Sequence, residues 1–342
     1  MIEGIEKMKL LLFGGNKTIL FVAKEAMKQD MDVVVFSDPF RLDTVINEAG
    51  TLRKNLQNQN ICFVETDELS KELLQEHMTD DTVGLSVITF WIFKQDVIDL
   101  FHGRLYNYHG ARLPFERGGG THTWKILSGS KIGGLAVHKV EPGIDTGAIV
   151  QYREFMFPDY CHVPQDYISY IEGFIEEEFL LEFLYNINSM GLHLNPRTDN
   201  EQYNSFKQLE YHSMYFPLLN TKMNGFINWD WDVGDIELFI NAFDNPYPGA
   251  STFCDYKRVY LKGCVRDSNN SFHPFQAGIV FRINEFGFFV ACRGGSLLIR
   301  DVLDEKGDSV PVEVGSRFFT PNSYLELAMT SRARYGSKGL KK

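Results

Sequence analysis

Four apolar runs, each closed by a turn and spaced about a helix apart, constrain this chain most. Lys9-Leu10-Leu11-Leu12-Phe13 ends in Gly14-Gly15-Asn16, and Val33-Val34-Val35-Phe36 ends in Ser37-Asp38-Pro39. Ile61-Cys62-Phe63-Val64 and Val83 to Thr89 follow. Continuous rather than alternating apolar runs mark strands buried on both faces, as in a parallel sheet covered by helices. The segments between them supply those helices. Thr18 to Gln29 reads as a helix with Leu20, Phe21, Ala23 and Met27 inward, followed by helices over Arg41 to Gly50 and Leu69 to His77. Strands alternating with helices predict an α/β, doubly wound parallel sheet. The Gly14-Gly15 turn lacks the full Gly-x-Gly-x-x-Gly pattern, so it reads as a tight strand-to-helix turn.

The stretch Leu105 to Gly147 carries the polar residues that point to chemistry. Leu105-Tyr106-Asn107-Tyr108-His109 has the texture of a short strand. Side chains two apart on a strand share a face, so Asn107 and His109 point one way and Tyr108 the other. Asp145 follows on the glycine-flanked loop Gly143-Ile144-Asp145-Thr146-Gly147, within reach of the imidazole. A carboxamide, a base near neutral pH and an orienting carboxylate are the parts needed for acyl transfer to an amine. A plain structural reading competes: strand-end Asn and His capping a turn, with Asp in an Asx turn.

Downstream, Gly133 to Val140 and Ile149 to Phe155 read as strands. Pro164 opens a helix running from Gln165 to about Met190, with Glu176-Glu177-Glu178 as its solvated face. Asn195 to Gln202 is polar and reads as linker. Beyond it come short strand-like runs broken by Gly, Asn and Pro, and one helix near Val233 to Phe243. That texture predicts a small β-barrel with a helix packed on it. The expected domains are residues 1–194, a linker over 195–214, a barrel over 215–330 and a mobile basic tail over 331–342.

Charge narrows the function class. Over 342 residues the net charge is −11, which argues against a nucleic-acid surface built to neutralise phosphates. The five cysteines lack a Cys-x-x-Cys pair, so a reduced cytoplasmic setting is expected, with neither a disulfide framework nor a zinc knuckle. The N-terminus lacks a signal-peptide pattern. The longest apolar run, Leu85 to Phe93, is far short of the roughly 20 residues that cross a bilayer, so no membrane partner is expected. His122, His138 and His162 have no ligand spacing; no metal is expected, and they read as ordinary loop or strand histidines.

Asn107-Tyr108-His109, Leu113-Pro114, Arg117-Gly118-Gly119 and Ile144-Asp145-Thr146-Gly147 together resemble the core of the formyltransferases that use 10-formyltetrahydrofolate. Tyr215-Phe216-Pro217-Leu218, Gly225-Phe226-Ile227-Asn228-Trp229 and Tyr247-Pro248-Gly249-Ala250 resemble the entry to that family's C-terminal barrel. The likeness runs from Leu10 to about Ile299. It implies a Rossmann-like catalytic domain followed by an OB-like barrel. It also implies Asn107, His109 and Asp145 as the catalytic triad. A folate pocket is implied at Phe90, Trp91, Ile92, Leu113, Val140, Gly143 and Ile144. Gly110 stands where the family often has Ser, and Asn241 where a basic residue is common.

Three acceptor readings stay open: a UDP- or dTDP-linked amino sugar, an initiator tRNA, or no acceptor, in a folate-binding relic of the fold. Residues 203–330 carry 11 Lys and Arg against 15 Asp and Glu, a poor surface for tRNA. The block Arg117 to Trp124 and the Phe157-Pro158 segment resemble the sugar enzymes, more narrowly those of the pseudaminic-acid route. Candidate substrate contacts are Tyr108, Arg112, Arg117, Gly118, Gly119, Thr121 and Trp124. A homodimer is the assembly considered with this reading.

Overall fold

The computed structural model describes residues 7–89, 91–189, 207–268, 270–336 and 339–340. Phe90 and the expected linker at Asn195 to Gln202 lie outside the described residues, as do positions 337–338 and 341–342 of the tail.

The first half is built on a sheet of seven strands. Five are parallel: β1 (Lys9–Gly14), β2 (Asp32–Ser37), β3 (Cys62–Glu65), β4 (Val83–Val87) and β5 (Leu105–His109). The hairpin β6 (Ile132–Lys139) and β7 (Ile149–Met156) adds two antiparallel strands at one edge. The order is β7-β6-β5-β4-β1-β2-β3. Leu10 to Phe13 have no exposed surface, as strands covered on both faces require. Helix α1 (Lys17–Lys28) starts because the Asn16 side chain accepts from the Ile19 N–H at 3.1 Å. Its inner face is Ile19, Val22, Ala23 and Ala26, while Met27, expected inside, is 41% exposed.

Two expected helices differ. Over Arg41 to Gly50 the chain makes only a turn at Pro39–Leu42 and a small hairpin of Val45–Asn47 with Gly50–Thr51. The Thr51 hydroxyl caps the helix that follows, α2 (Leu52–Asn58), so the helix begins where its capping residue sits. The long helix after Pro164 is two: α3 (Pro164–Ile171) and α4 (Phe174–Ser189). Gly173 between them has φ +87°, a conformation a continuing helix cannot hold.

The C-terminal part is a curled antiparallel sheet of six strands, a half-barrel. In spatial order these are Val280–Asn284, Gly287–Cys292, Gly295–Leu303, Lys257–Ser268, Ala250–Cys254 and Phe318–Phe319. A bridge between Ile279 and Arg317 brings its ends together. The helix Val233–Ala242 packs between this sheet and the helix Thr121–Leu127 of the first half. A second link is the parallel pairing of Arg117–Gly118 with Tyr215–Phe216.

Candidate active site

A cleft of about 490 Å³ opens at the C-terminal ends of β1, β4 and β5. The chain reverses direction of growth across the sheet between β1 and β4, which is where open parallel sheets place ligands. Asn107 and His109 share one face of β5, as alternation requires, and both line the cleft.

Asp145 reaches them from the loop after β6. Its backbone sits at φ +53°, and the turn closes because Gly147 lacks a side chain: a Cβ there would stand 1.8 Å from the Lys139 carbonyl oxygen. Asp145 Oδ2 accepts from the Gly118 N–H at 2.8 Å and stands 3.7 Å from His109 Nδ1. Its Oδ1 is 3.5 Å from Asn107 Nδ2 and 3.4 Å from His138 Nε2. Burial pushes the Asp145 carboxyl up, but His109, His138 and the Gly118 N–H outweigh it. The net result holds the group well below the usual carboxylate range.

Backbone carbonyls fix both rings. His109 Nε2 donates to the Glu116 carbonyl at 2.7 Å, so Nδ1 is the nitrogen left to exchange a proton. His138 Nδ1 donates to the Lys139 carbonyl at 2.8 Å, which turns its Nε2 to Asn107 Nδ2 at 3.1 Å and Asp145 Oδ1 at 3.4 Å. His138 is therefore no ordinary strand histidine: it is 3% exposed and orients the Asn107 amide. Its place opposite Asn107 follows from the β5–β6 register, which no local pattern announces.

Gln208 was also missed. Its side-chain amide donates to the Asp145 carbonyl at 2.9 Å and the Gly147 carbonyl at 2.7 Å, pinning the acid's loop. The signal was weak, because Gln208 lies more than sixty residues from both partners. The Glu176-Glu177-Glu178 run is not one solvated face. Glu177 and Glu178 are exposed, but Glu176 is 4% exposed and lines the cleft. It shares the helical stripe of Phe179, Leu180 and Phe183, a spacing that was legible.

Of the expected folate contacts, Trp91, Ile92, Val140, Gly143 and Ile144 line the cleft. Leu113 does not; it is 3% exposed and packs with Ala136 and Ile149. Of the expected substrate contacts, Tyr108, Gly118, Gly119 and Thr121 line the cleft. Arg112, Arg117 and Trp124 do not. Arg112 is engaged by Glu116. Arg117 is 5% exposed and spends its guanidinium on Gln208 and Glu210, at 3.0 and 2.9 Å. The Trp124 indole donates to the Pro217 carbonyl at 2.8 Å. Both are ties to the segment entering the C-terminal part. Among the described residues no group of three or more His, Cys, Asp or Glu is arranged to hold a metal ion.

Comparison with known proteins agrees with this architecture. Residues 12–157 match the family model described as formyl transferase, and residues 220–315 match that of the formyl transferase C-terminal domain. A methionyl-tRNA formyltransferase of Acetivibrio thermocellus is 26% identical over 65% of this chain and 66% of its own length. The match thus spans just under two thirds of that relative. Among solved structures, WlaRD, a sugar 3N-formyl transferase crystallised with dTDP and 5-N-formyl-THF, superposes with a TM-score of 0.58. It is 20% identical over 86% of this chain and 98% of its own. An N-formyltransferase from Helicobacter canadensis, in complex with folinic acid and dTDP-3-aminofucose, gives a TM-score of 0.59. It is 19% identical over 86% and 99% of the two chains. At that identity the two structures speak for the fold. With both domain models matched in order, the chain belongs to the formyl transferase family.

Proposed function

We propose that the protein moves a formyl group from 10-formyltetrahydrofolate to the amino group of a UDP- or dTDP-linked amino-deoxy sugar. A cytoplasmic setting and a role in surface-glycan synthesis belong to the same proposal. The observation that carries it is the meeting of Asn107, His109 and Asp145 inside an apolar-walled cleft. The residues present fit a folate. Trp91, Ile92, Val140 and Ile144 offer apolar walls for a flat pterin. The Ser86 hydroxyl lines the same cleft, fully buried and without a partner, a polar atom that a bound ligand would satisfy.

The folate, when bound, supplies the formyl carbon. His109 Nδ1 takes the proton shed by the attacking amine, directly or through water, and returns it to the departing nitrogen. Asp145, ionised, orients the ring and stabilises the imidazolium. Asn107 Nδ2 stands 3.1 Å from His138 Nε2, while the amide hydrogen on its 3.5 Å contact to Asp145 is at the limit of a hydrogen bond. That hydrogen is available to an oxygen gaining negative charge, and one such donor is worth about 3–4 kcal/mol.

Two observations favour different acceptors. The sequence relative above is a methionyl-tRNA formyltransferase, while the superposed structures are named for sugar substrates. The acidic balance of residues 203–330, 11 basic against 15 acidic, supports the sugar. The test offers purified protein 10-formyltetrahydrofolate with dTDP- and UDP-linked amino sugars beside charged initiator tRNA, read by mass spectrometry. Formylation of an amino sugar is expected; formylation of the tRNA alone would replace the proposal with the second reading.

A further inference from the structure

We propose that Glu176 is an acceptor-recognition residue, taking hydrogen bonds from hydroxyl groups of the incoming sugar. This rests on the amino-sugar reading above and adds where that sugar is gripped.

The cleft has two unlike sides. β5 alternation sends Tyr108 away from Asn107 and His109, toward α1 and α4. There the Thr18 hydroxyl donates to Glu176 at 3.0 Å, and the Tyr108 phenol stands near the same carboxyl. All three residues line the cleft. A carboxylate offers about four lone-pair positions. Thr18 fills one of them, which leaves acceptor capacity on a buried group at the wall of a cavity. Burial raises the Glu176 carboxyl above its ordinary range despite both hydroxyls, as expected of a group only partly satisfied.

A second orphan stands on the same side. His122 lines the cleft, packs against Tyr167 of α3, and has a buried Nδ1 with no partner. Burial, aided by the charge of Lys125, pushes this imidazole down to about 4, so it is neutral at pH 7 and its Nδ1 is left for a ligand to pair. The described residues lining the cleft include no Lys or Arg, but do include Glu141, Asp145, Glu172 and Glu176. Glu172 is paired with Lys17, but the remaining acidic groups still disfavour phosphate and suit a ring bearing several donors. The diphosphate of a nucleotide sugar would therefore lie outside this compartment, with the amino sugar inward.

The test compares wild type with Glu176→Gln and Glu176→Asp, using dTDP-3-aminofucose and a UDP-linked 4-amino-dideoxy sugar as probes. Expected for Glu176→Gln is a rise of about tenfold or more in the acceptor KM. The KM for 10-formyltetrahydrofolate should hold, and kcat should change far less. Glu176→Asp keeps the charge but retracts it, so its acceptor KM should rise by less; this variant decides the matter if the Gln form does not fold. Unchanged acceptor KM, or both KM values rising together, would show a carboxyl that only anchors α4 to α1 and would overturn the inference alone. Wild type inactive on both amino sugars, and active on tRNA, would overturn the amino-sugar reading and this inference with it.

Discussion

His109 turns Nδ1 toward Asp145, 3.7 Å from Oδ2, because the Glu116 carbonyl holds its other ring nitrogen at 2.7 Å. With Nε2 held by that carbonyl, the ring can exchange a proton at Nδ1 without reorienting. Replacing it should remove turnover and little else. His109→Ala is expected to lower kcat by about 10³-fold, within the range general acid–base groups contribute. Thermal stability and folate affinity should stay near wild type, checked by calorimetry and a binding titration.

Asp145 links the site to pH. Its folded carboxyl is held below the ordinary range, with burial opposed by two imidazoles and the Gly118 N–H. The stability it contributes is therefore fully present above the unfolded value of about 3.9 and is lost as pH falls from there toward the folded value. Asp145→Asn makes no such contribution. The stability gap between wild type and Asp145→Asn should shrink as pH falls below about 4, read by urea unfolding across pH.

Gln208 never needs to touch substrate to matter. It holds the Asp145 and Gly147 carbonyls, and its own carbonyl accepts from Arg117. Gln208→Ala leaves those groups unpaired in a buried place, a loss of about 1–3 kcal/mol. Unfolding should show that loss, and kcat should fall about tenfold as the acid's loop loosens, with the acceptor KM nearly unchanged.

Gly118 has two duties in one residue. Its N–H reaches Asp145 at 2.8 Å, and its Cα lies against the segment it pairs with. At φ +96°, an added Cβ would stand 2.2 Å from the Phe216 carbonyl oxygen. Gly118→Ala should cost about 1–3 kcal/mol or more of stability and lower kcat together, since relieving the clash moves the donor. A folded variant with unchanged Tm and full rate would show that the strand pairing is dispensable.

What was legible in the chain followed from local chemistry. Leu10 to Phe13 and Val33 to Phe36 announced buried parallel strands because no polar alternation interrupts them. Asn107 and His109 could be placed on one face from strand periodicity alone. The failures required information from afar. Arg117 read as a substrate contact because its partners, Gln208 and Glu210, come about ninety residues later. His138 was passed over because its meeting with Asn107 depends on β-strand register. Glu176 was a different miss: three adjacent glutamates suggested one solvated face, although helical spacing turns the first of them inward with Phe179 and Phe183.

The most direct measurement follows the carbon itself. Protein, an amino-sugar nucleotide and 10-formyltetrahydrofolate carrying a ¹³C-formyl group would be incubated for wild type and His109→Ala side by side, with products weighed by mass spectrometry. The account predicts labelled N-formyl sugar from wild type and about a thousandfold less from His109→Ala, with both proteins binding folate equally. Labelled product at a similar rate from both would contradict it.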